Sequence, residues 1–316
     1  MMRRACLAAL AALWLALGIA APAQAGRQCT ENRPTTAALA RDLALAASVA
    51  EQLDAMAAQG GLRVGLLARA GQDLTKYGLR FSHLGIVYRD DAALGGRGAW
   101  RVMHKLNHCG SDRAAVYRQG LAEFFSEGLY THEAGLVVLR APLARDGVLA
   151  ALKDNAAMTR LHEPRYNMLA YPWAGPYQQS NQWALETLAM LADADVVTRA
   201  GARSWLRLRG YQPTTLHIPA PERLGARITM GHVAFDDHPF GRRMAGQIDT
   251  VTVDSVFAFV QRNGLGEPVR VLRTQPAGAM TIAPSTATSP APAMPSTAPA
   301  APAAPAPILP RATERT

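Results

Sequence analysis

Cysteine is nearly absent: the 316 residues hold three, and Cys6 lies inside an apolar N-terminal stretch. Cys29 and Cys109 are too few for a disulfide framework or a cysteine-rich metal module. Lysine is almost as scarce, with Lys76, Lys105 and Lys153 against a background of arginine. No block of like charge occurs, and no basic stripe interleaved with aromatics, so the clustered footprint that nucleic-acid binding needs is missing. No P-loop, dinucleotide fingerprint, HExxH or GxSxG is present, which removes the commonest nucleotide, zinc-protease and α/β-hydrolase readings and implies no cofactor. No apolar run reaches the roughly 20 residues that span a bilayer, so no transmembrane helix is expected after the N-terminal segment.

What is there is ample apolar material. At 49% apolar and 18% charged, the chain can build one large core, and collagen-like, coiled-coil and wholly disordered readings fail. Residues 1–25 read as a secretory signal peptide: Arg3 and Arg4, an apolar stretch from Ala5 to about Ala20, then Ala23-Gln24-Ala25 as a small-x-small cleavage site. The expected location is periplasmic or secreted. Residues 276–316 carry 10 of the 21 prolines among Ala, Ser and Thr, a composition that cannot offset its ordering entropy and reads as a disordered tail. Residues 26–275 are then a single domain. Setting the ends aside removes four arginines and one glutamate from the formal +9 and leaves +6, a mild positive charge suited to an acidic cell-envelope surface.

Residues 35–59 carry Ala, Leu and Val at helical spacing behind a threonine cap. Strands are predicted at 62–68, 81–88 (FSHLGIVY), 100–106 (WRVMHKL) and 135–140 (GLVVLR), with a Gly-rich loop at 95–98. A helix is predicted over 143–157, opened by Pro142. After an irregular stretch rich in Tyr, Trp and Pro, helices are expected at 180–193, with Ser180 as cap, and near 197–208. Strands near 214–218, 228–235 and 248–253 and a helix at 255–262 complete the pattern. The expected fold class is α+β, with a central, mainly antiparallel sheet flanked by helices.

Three polar positions stand out within this pattern. His83 lies in one predicted strand, His104 in the next, and Ser180 at a helix start. A nucleophile at a helix N-terminus profits from the positive dipole end and from unpaired amides. A strand-borne imidazole is a rigid base, and a second polar group fixes its tautomer. Cys29 and Cys109 are expected to form a disulfide; a free Cys109 thiol flanked by His104 and His108, or a zinc site from those three, are the alternatives. His232, Asp236 and His238 have a commonplace spacing, and no metal site is expected. Tyr166, Trp173 and Tyr177 lie in an aromatic loop that reads first as packing.

The string SHLGIV after LRVGLLARAG resembles the opening of the circularly permuted papain-like proteins, which include NlpC-type cell-wall peptidases and lecithin-retinol acyltransferase-type domains. In these a strand histidine comes first, a second polar residue follows on the next strand, and a cysteine nucleophile comes later at a helix N-terminus. The resemblance, over roughly residues 62–192, implies a papain-like permuted topology, with His83 as base, His104 as orienting residue and Ser180 or Asn181 in place of the cysteine. On this papain-like reading the aromatic loop, with Asn181, would wall a cleft and contact a ligand. A closer resemblance covers nearly all of residues 26–273. The strings ARAGQDLTKYGLRFSHLGIVYRD, WRVMHKLNHCG, LHEPRYNMLAYPW and YQQSNQWALE are similar to the secreted bacterial domain of unknown function 2145, which carries no assigned activity. The chain departs from the papain-like pattern in having no cysteine near Ser180, and a hydroxyl is far less acidic than a thiol. The expected function is an envelope amide or ester hydrolase or acyltransferase with a Ser/His site, or else a catalytically silent relative binding a peptide, glycan or lipid of the cell envelope.

Overall fold

A computed structural model describes residues 34–60, 62–108 and 110–274. The signal-peptide reading of residues 1–25, the Cys29–Cys109 pairing and the tail over 276–316 lie outside the described residues. Within them the chain forms α1 (Thr36–Ala58), β1 (Val64–Ala70), β2 (His83–Asp90), β3 (Ala99–Asn107), β4 (Ala114–Gly120), α2 (Leu121–Phe125) and β5 (Thr131–Val138). There follow α3 (Asp146–Lys153), α4 (Asn155–Thr159), α5 (Ser180–Ala192), α6 (Arg199–Leu208), β6 (Thr214–His217), α7 (Ala220–Thr229), α8 (Phe240–Met244), β7 (Gln247–Thr250), α9 (Val253–Arg262) and β8 (Arg270–Arg273). The architecture is α+β.

A six-stranded sheet runs in the order β4-β3-β2-β1-β5-β8, and its neighbours pair antiparallel throughout. Strand alternation sends successive side chains to opposite faces, and both faces are covered. On one side Leu45, Val49 and Leu53 of α1, spaced at a helix turn, pack with Phe124 and Phe125 of α2 over Leu67, Val87, Val102 and Leu136. On the other, Trp183, Leu185 and Leu188 of α5, Trp205 of α6 and Val256 and Phe259 of α9 pack over Leu66, Ile86, Tyr88 and Met103. Thr35 caps α1 by accepting a hydrogen bond from Ala38 N at 3.1 Å.

β2 and β3 approach closely because residue 85 is glycine. A Cβ built there would come within 2.3 Å of Val102 Cγ1 and 3.2 Å of His104 Cβ. The internal glycine of SHLGIV is therefore a packing requirement of the sheet, and it keeps open the face on which His83 and His104 sit diagonally.

Two expectations are corrected. Residues 143–157 form two helices, not one; Asp154 is extended between them and its carboxylate accepts from Ala156 N at 2.8 Å to cap the second. Residues 228–235 do not form a strand, since Pro221 and Glu222 in a first turn start α7, which runs through Thr229 before the chain turns. β6 and β7 pair with each other as a separate two-stranded sheet and, with Val233 and Phe235, build a small third core. β4, β8, α2, α7 and α8 were not anticipated: β8 has four residues, and α2 and α8 span little more than a turn, too few positions for a periodicity to emerge. Among the described residues, no helix is long and apolar enough to cross a membrane.

Candidate functional site

The start of β2 is pinned by Ser82. Its N–H donates to Arg69 O at 3.0 Å and its hydroxyl accepts from Gly71 N at 2.8 Å. Alternation then turns Leu84, Ile86 and Tyr88 towards α5 and His83 towards α1 and α2, where it faces Phe124 at 5.9 Å between ring centroids. His83 Nε2 lies 2.8 Å from His104 Nδ1, the rings standing edge to face. His104 is buried and its Nε2 is 2.7 Å from Gln119 Oε1. Gln119 Nε2 donates to Glu127 Oε1 at 3.4 Å, and Glu127 is ion-paired with the buried Arg69.

The partners assign a direction to this chain. Gln119 Oε1 can only accept, so His104 Nε2 carries the proton and its Nδ1 accepts from His83 Nε2–H. Whenever the His83 ring is neutral, this arrangement puts its lone pair on Nδ1. Burial holds the His104 imidazole down to about 4, so it stays neutral near pH 7. Burial works against the Glu127 carboxylate, but Arg69 beside it keeps its pKa below the usual range. The result is an oriented imidazole whose far end rests on a fixed carboxylate and guanidinium.

The second half of the site comes from α5. Gln179, not Ser180, is the N-cap: its Oε1 accepts from Asn181 N at 2.8 Å, and its Nε2 donates to Thr250 Oγ1 at 3.1 Å and Met168 O at 3.2 Å. Ser180 is thus the first helical residue, and its hydroxyl is released from capping. Burial raises the pKa of Tyr166, and the neighbouring Ser180 hydroxyl works against that shift. Asn181 Nδ2 donates to Ser82 O at 3.4 Å and Val251 O at 3.3 Å, so the helix N-terminus abuts the residue before His83.

His83 and Ser180 reach the same cavity of about 800 Å³ from opposite faces, around the end of the sheet. Its lining includes Arg69 and Glu127 from the histidine side and Tyr166, Gln179 and Asn181 from the helix side. A wall of apolar groups, among them Met168, Leu216, Ile218 and Phe235, closes it against the β6/β7 sheet. Two buried polar atoms in this lining, the acceptor Asn181 Oδ1 and the ring nitrogen His232 Nδ1, have no hydrogen-bond partner among the described residues. Asn181 Oδ1 calls for a ligand or water that donates N–H or O–H, and His232 Nδ1 for a partner that suits its tautomer.

Of the residues expected to bind a ligand, Tyr166 and Asn181 line the cavity, whereas Trp173 and Tyr177 do not. Trp173 packs on Tyr211 at 5.8 Å beneath the Arg207 guanidinium; Tyr177 donates to Asp236 at 3.1 Å and is covered by Arg165. Both brace the wall from behind. His238 has both ring nitrogens engaged, with Asp237 and with Asp249 O, each at 2.9 Å. Among the described residues no three His, Cys, Asp or Glu side chains gather to hold a metal.

Gln119, Glu127, Arg69 and Gln179 were not foreseen. Gln119 stands on an unrecognised strand and Glu127 in a loop, and neither belongs to a local motif. Beneath α5 lies a separate buried network: Lys105 Nζ donates to Gln178 Oε1 at 2.9 Å and Glu163 O at 2.6 Å. Gln178 Nε2 donates to Glu186 at 2.6 Å, and Arg199 pairs with Glu186 at 2.8 Å. It fixes the loop before α5 to the helix body.

No curated protein and no solved structure matches the chain. Residues 55–260, which contain His83, His104, Gln119, Glu127, Ser180 and Asn181, match the bacterial family DUF2145, described as an uncharacterized protein conserved in bacteria. On that match, which spans both halves of the cavity, the chain belongs to the DUF2145 family.

Proposed function

We propose that the protein is a secreted amide or ester hydrolase or acyltransferase of the bacterial cell envelope, with Ser180 as nucleophile, His83 as base and His104 as the group that holds His83. The observation that carries this reading is the polarised chain His83–His104–Gln119–Glu127 ending on an imidazole at the wall of the cavity that Ser180 also lines. The order along the chain, strand histidine, second polar residue, then a helix N-terminus, is that of the permuted papain-like proteins it resembles.

In this mechanism Ser180 Oγ attacks the substrate carbonyl as its proton passes to His83 Nδ1. The tetrahedral intermediate collapses when His83 returns that proton to the leaving amine or alcohol. Water, or a second alcohol in acyl transfer, then attacks the acyl-serine with the same proton traffic in reverse. His104 stays neutral and keeps His83 Nε2–H engaged, so that Nδ1 is the basic atom. Asn181 Oδ1 receives a donor group of the substrate, which favours an amide or a hydroxylated glycan. The contact of Ser180 with Tyr166 supports a second reading: a silent cleft that binds an envelope peptide, glycan or lipid without turning it over.

A fluorophosphonate probe separates the two. The proposal predicts covalent labelling at Ser180 that drops at least about tenfold in Ser180→Ala and in His83→Ala. Equal labelling of all three proteins, or none of any, rules out catalysis by this pair and leaves the binding reading.

A further inference from the structure

Large apolar side chains are exposed singly over most surfaces, but here five of the twelve exposed ones among the described residues fall within one 21-residue stretch. Leu224 and Ile228 of α7 are 62% and 61% exposed, Met230 just beyond it 41%, and Phe240 and Met244 of α8 70% and 62%. Each helix shows the same device, an apolar pair at i and i+4 on its solvent side. The two helices are neighbours: the turn after α8 at Gly246 lies against Arg223 and Ile218 at the start of α7. No residue of α7 is buried, although its inner side, through Ala226 and Thr229, lines the cavity. A helix with apolar groups on both sides forms the thin outer wall of the cleft.

The charges around this patch have one sign to spare. Of its four arginines, Arg242 is matched by Asp249, and the one glutamate, Glu222, is matched by Lys76. Among the described residues Arg223, Arg227 and Arg243 have no carboxylate partner; Asp236 and Asp237 in the intervening loop bond Tyr177, and Tyr171 N and His238, and keep their charge, so the positive excess is small. A second copy docking through the same face would set like charges together, which disfavours a two-fold dimer. An anionic bilayer matches both features, because its headgroups take the arginines while its acyl boundary takes the i, i+4 pairs.

We infer that the outer face of α7 and α8 docks on an anionic phospholipid surface and holds the cleft against the membrane. The docking stands on the exposed face alone and does not depend on Ser180 chemistry. The test is co-sedimentation of the mature chain from Gly26, with vesicles of phosphatidylglycerol and phosphatidylcholine, and with phosphatidylcholine alone. Binding is expected to the mixed vesicles, weakened by salt, and reduced at least about tenfold by Leu224→Asp with Ile228→Asp. Phe240→Asp with Met244→Asp, a second exposed pair, should act in the same direction, and Arg227→Glu should weaken binding to anionic vesicles only. Unchanged sedimentation of both double variants, equal binding to neutral vesicles, or a wild-type dimer that Leu224→Asp dissolves would each overturn the docking. Loss of fluorophosphonate labelling with vesicle binding intact would instead remove the catalytic reading alone.

Discussion

His104 shows how one residue can carry both packing and chemistry. It has no exposed surface, and it is neutral because burial holds its pKa to about 4 whereas the unfolded imidazole titrates near 6.5. Between those values the unfolded chain binds the extra proton, so stability rises with pH through this window, is complete above it and is lost as the pH falls through it. A difference of roughly 2.5 pK units sets an upper bound of about 3 kcal/mol. His162 is depressed to about 4 as well, again by burial, and adds a slope of the same sign. Urea midpoints measured from about pH 7 to pH 5, where carboxylates hardly titrate, should fall for the wild type and fall less steeply for His104→Asn. Parallel curves for the two proteins would show that His104 is not held neutral.

At the scale of elements, α5 is fixed by its first and second turns together. Gln179 caps it, and Glu186, with 1% of its side chain exposed, sits between Arg199 and Arg203 at 14% and 15%. Removing the carboxylate leaves two poorly solvated cations without a counter-charge, so Glu186→Ala should destabilise the protein by about 3–5 kcal/mol, read as a shift in the denaturant midpoint. A change under about 1 kcal/mol would place this pair with exposed ion pairs. Much of this level was legible in the chain. The strings SHLGIV, WRVMHKL and SNQWALE locate β2, β3 and α5 through alternation, an internal glycine and a helical stripe, and His83 with His104 does form a pair. The helix cap was misplaced by one residue because glutamine is an uncommon cap whose role depends on Thr250 and Met168 from distant segments. The strand expected over 228–235 failed because β-branched residues mattered less there than the proline that opens α7. Gln119 and Glu127 were illegible for a simpler reason: their meaning arises only when β4 pairs with β3 and the loop after α2 folds back on Arg69.

At the scale of the whole molecule, the sheet is covered on both faces, and the cavity lies where its end meets the N-terminus of α5. The histidine chain belongs to the α1 and α2 side and the serine to the α5 side, so the site exists only if the two meet around the strand ends. Ser180→Cys tests that meeting directly, because a thiol at position 180 loses its proton to any imidazole within reach. Alkylation by iodoacetamide, located by mass spectrometry to distinguish residue 180 from Cys29 and Cys109, should proceed well below pH 8.5, the ordinary thiol range. In a background of His83→Ala the profile of the same cysteine should move to higher pH, keeping only the help of the helix N-terminus. Identical pH profiles with and without His83 would contradict the account, since they would mean that the two halves of the cavity do not act on one another.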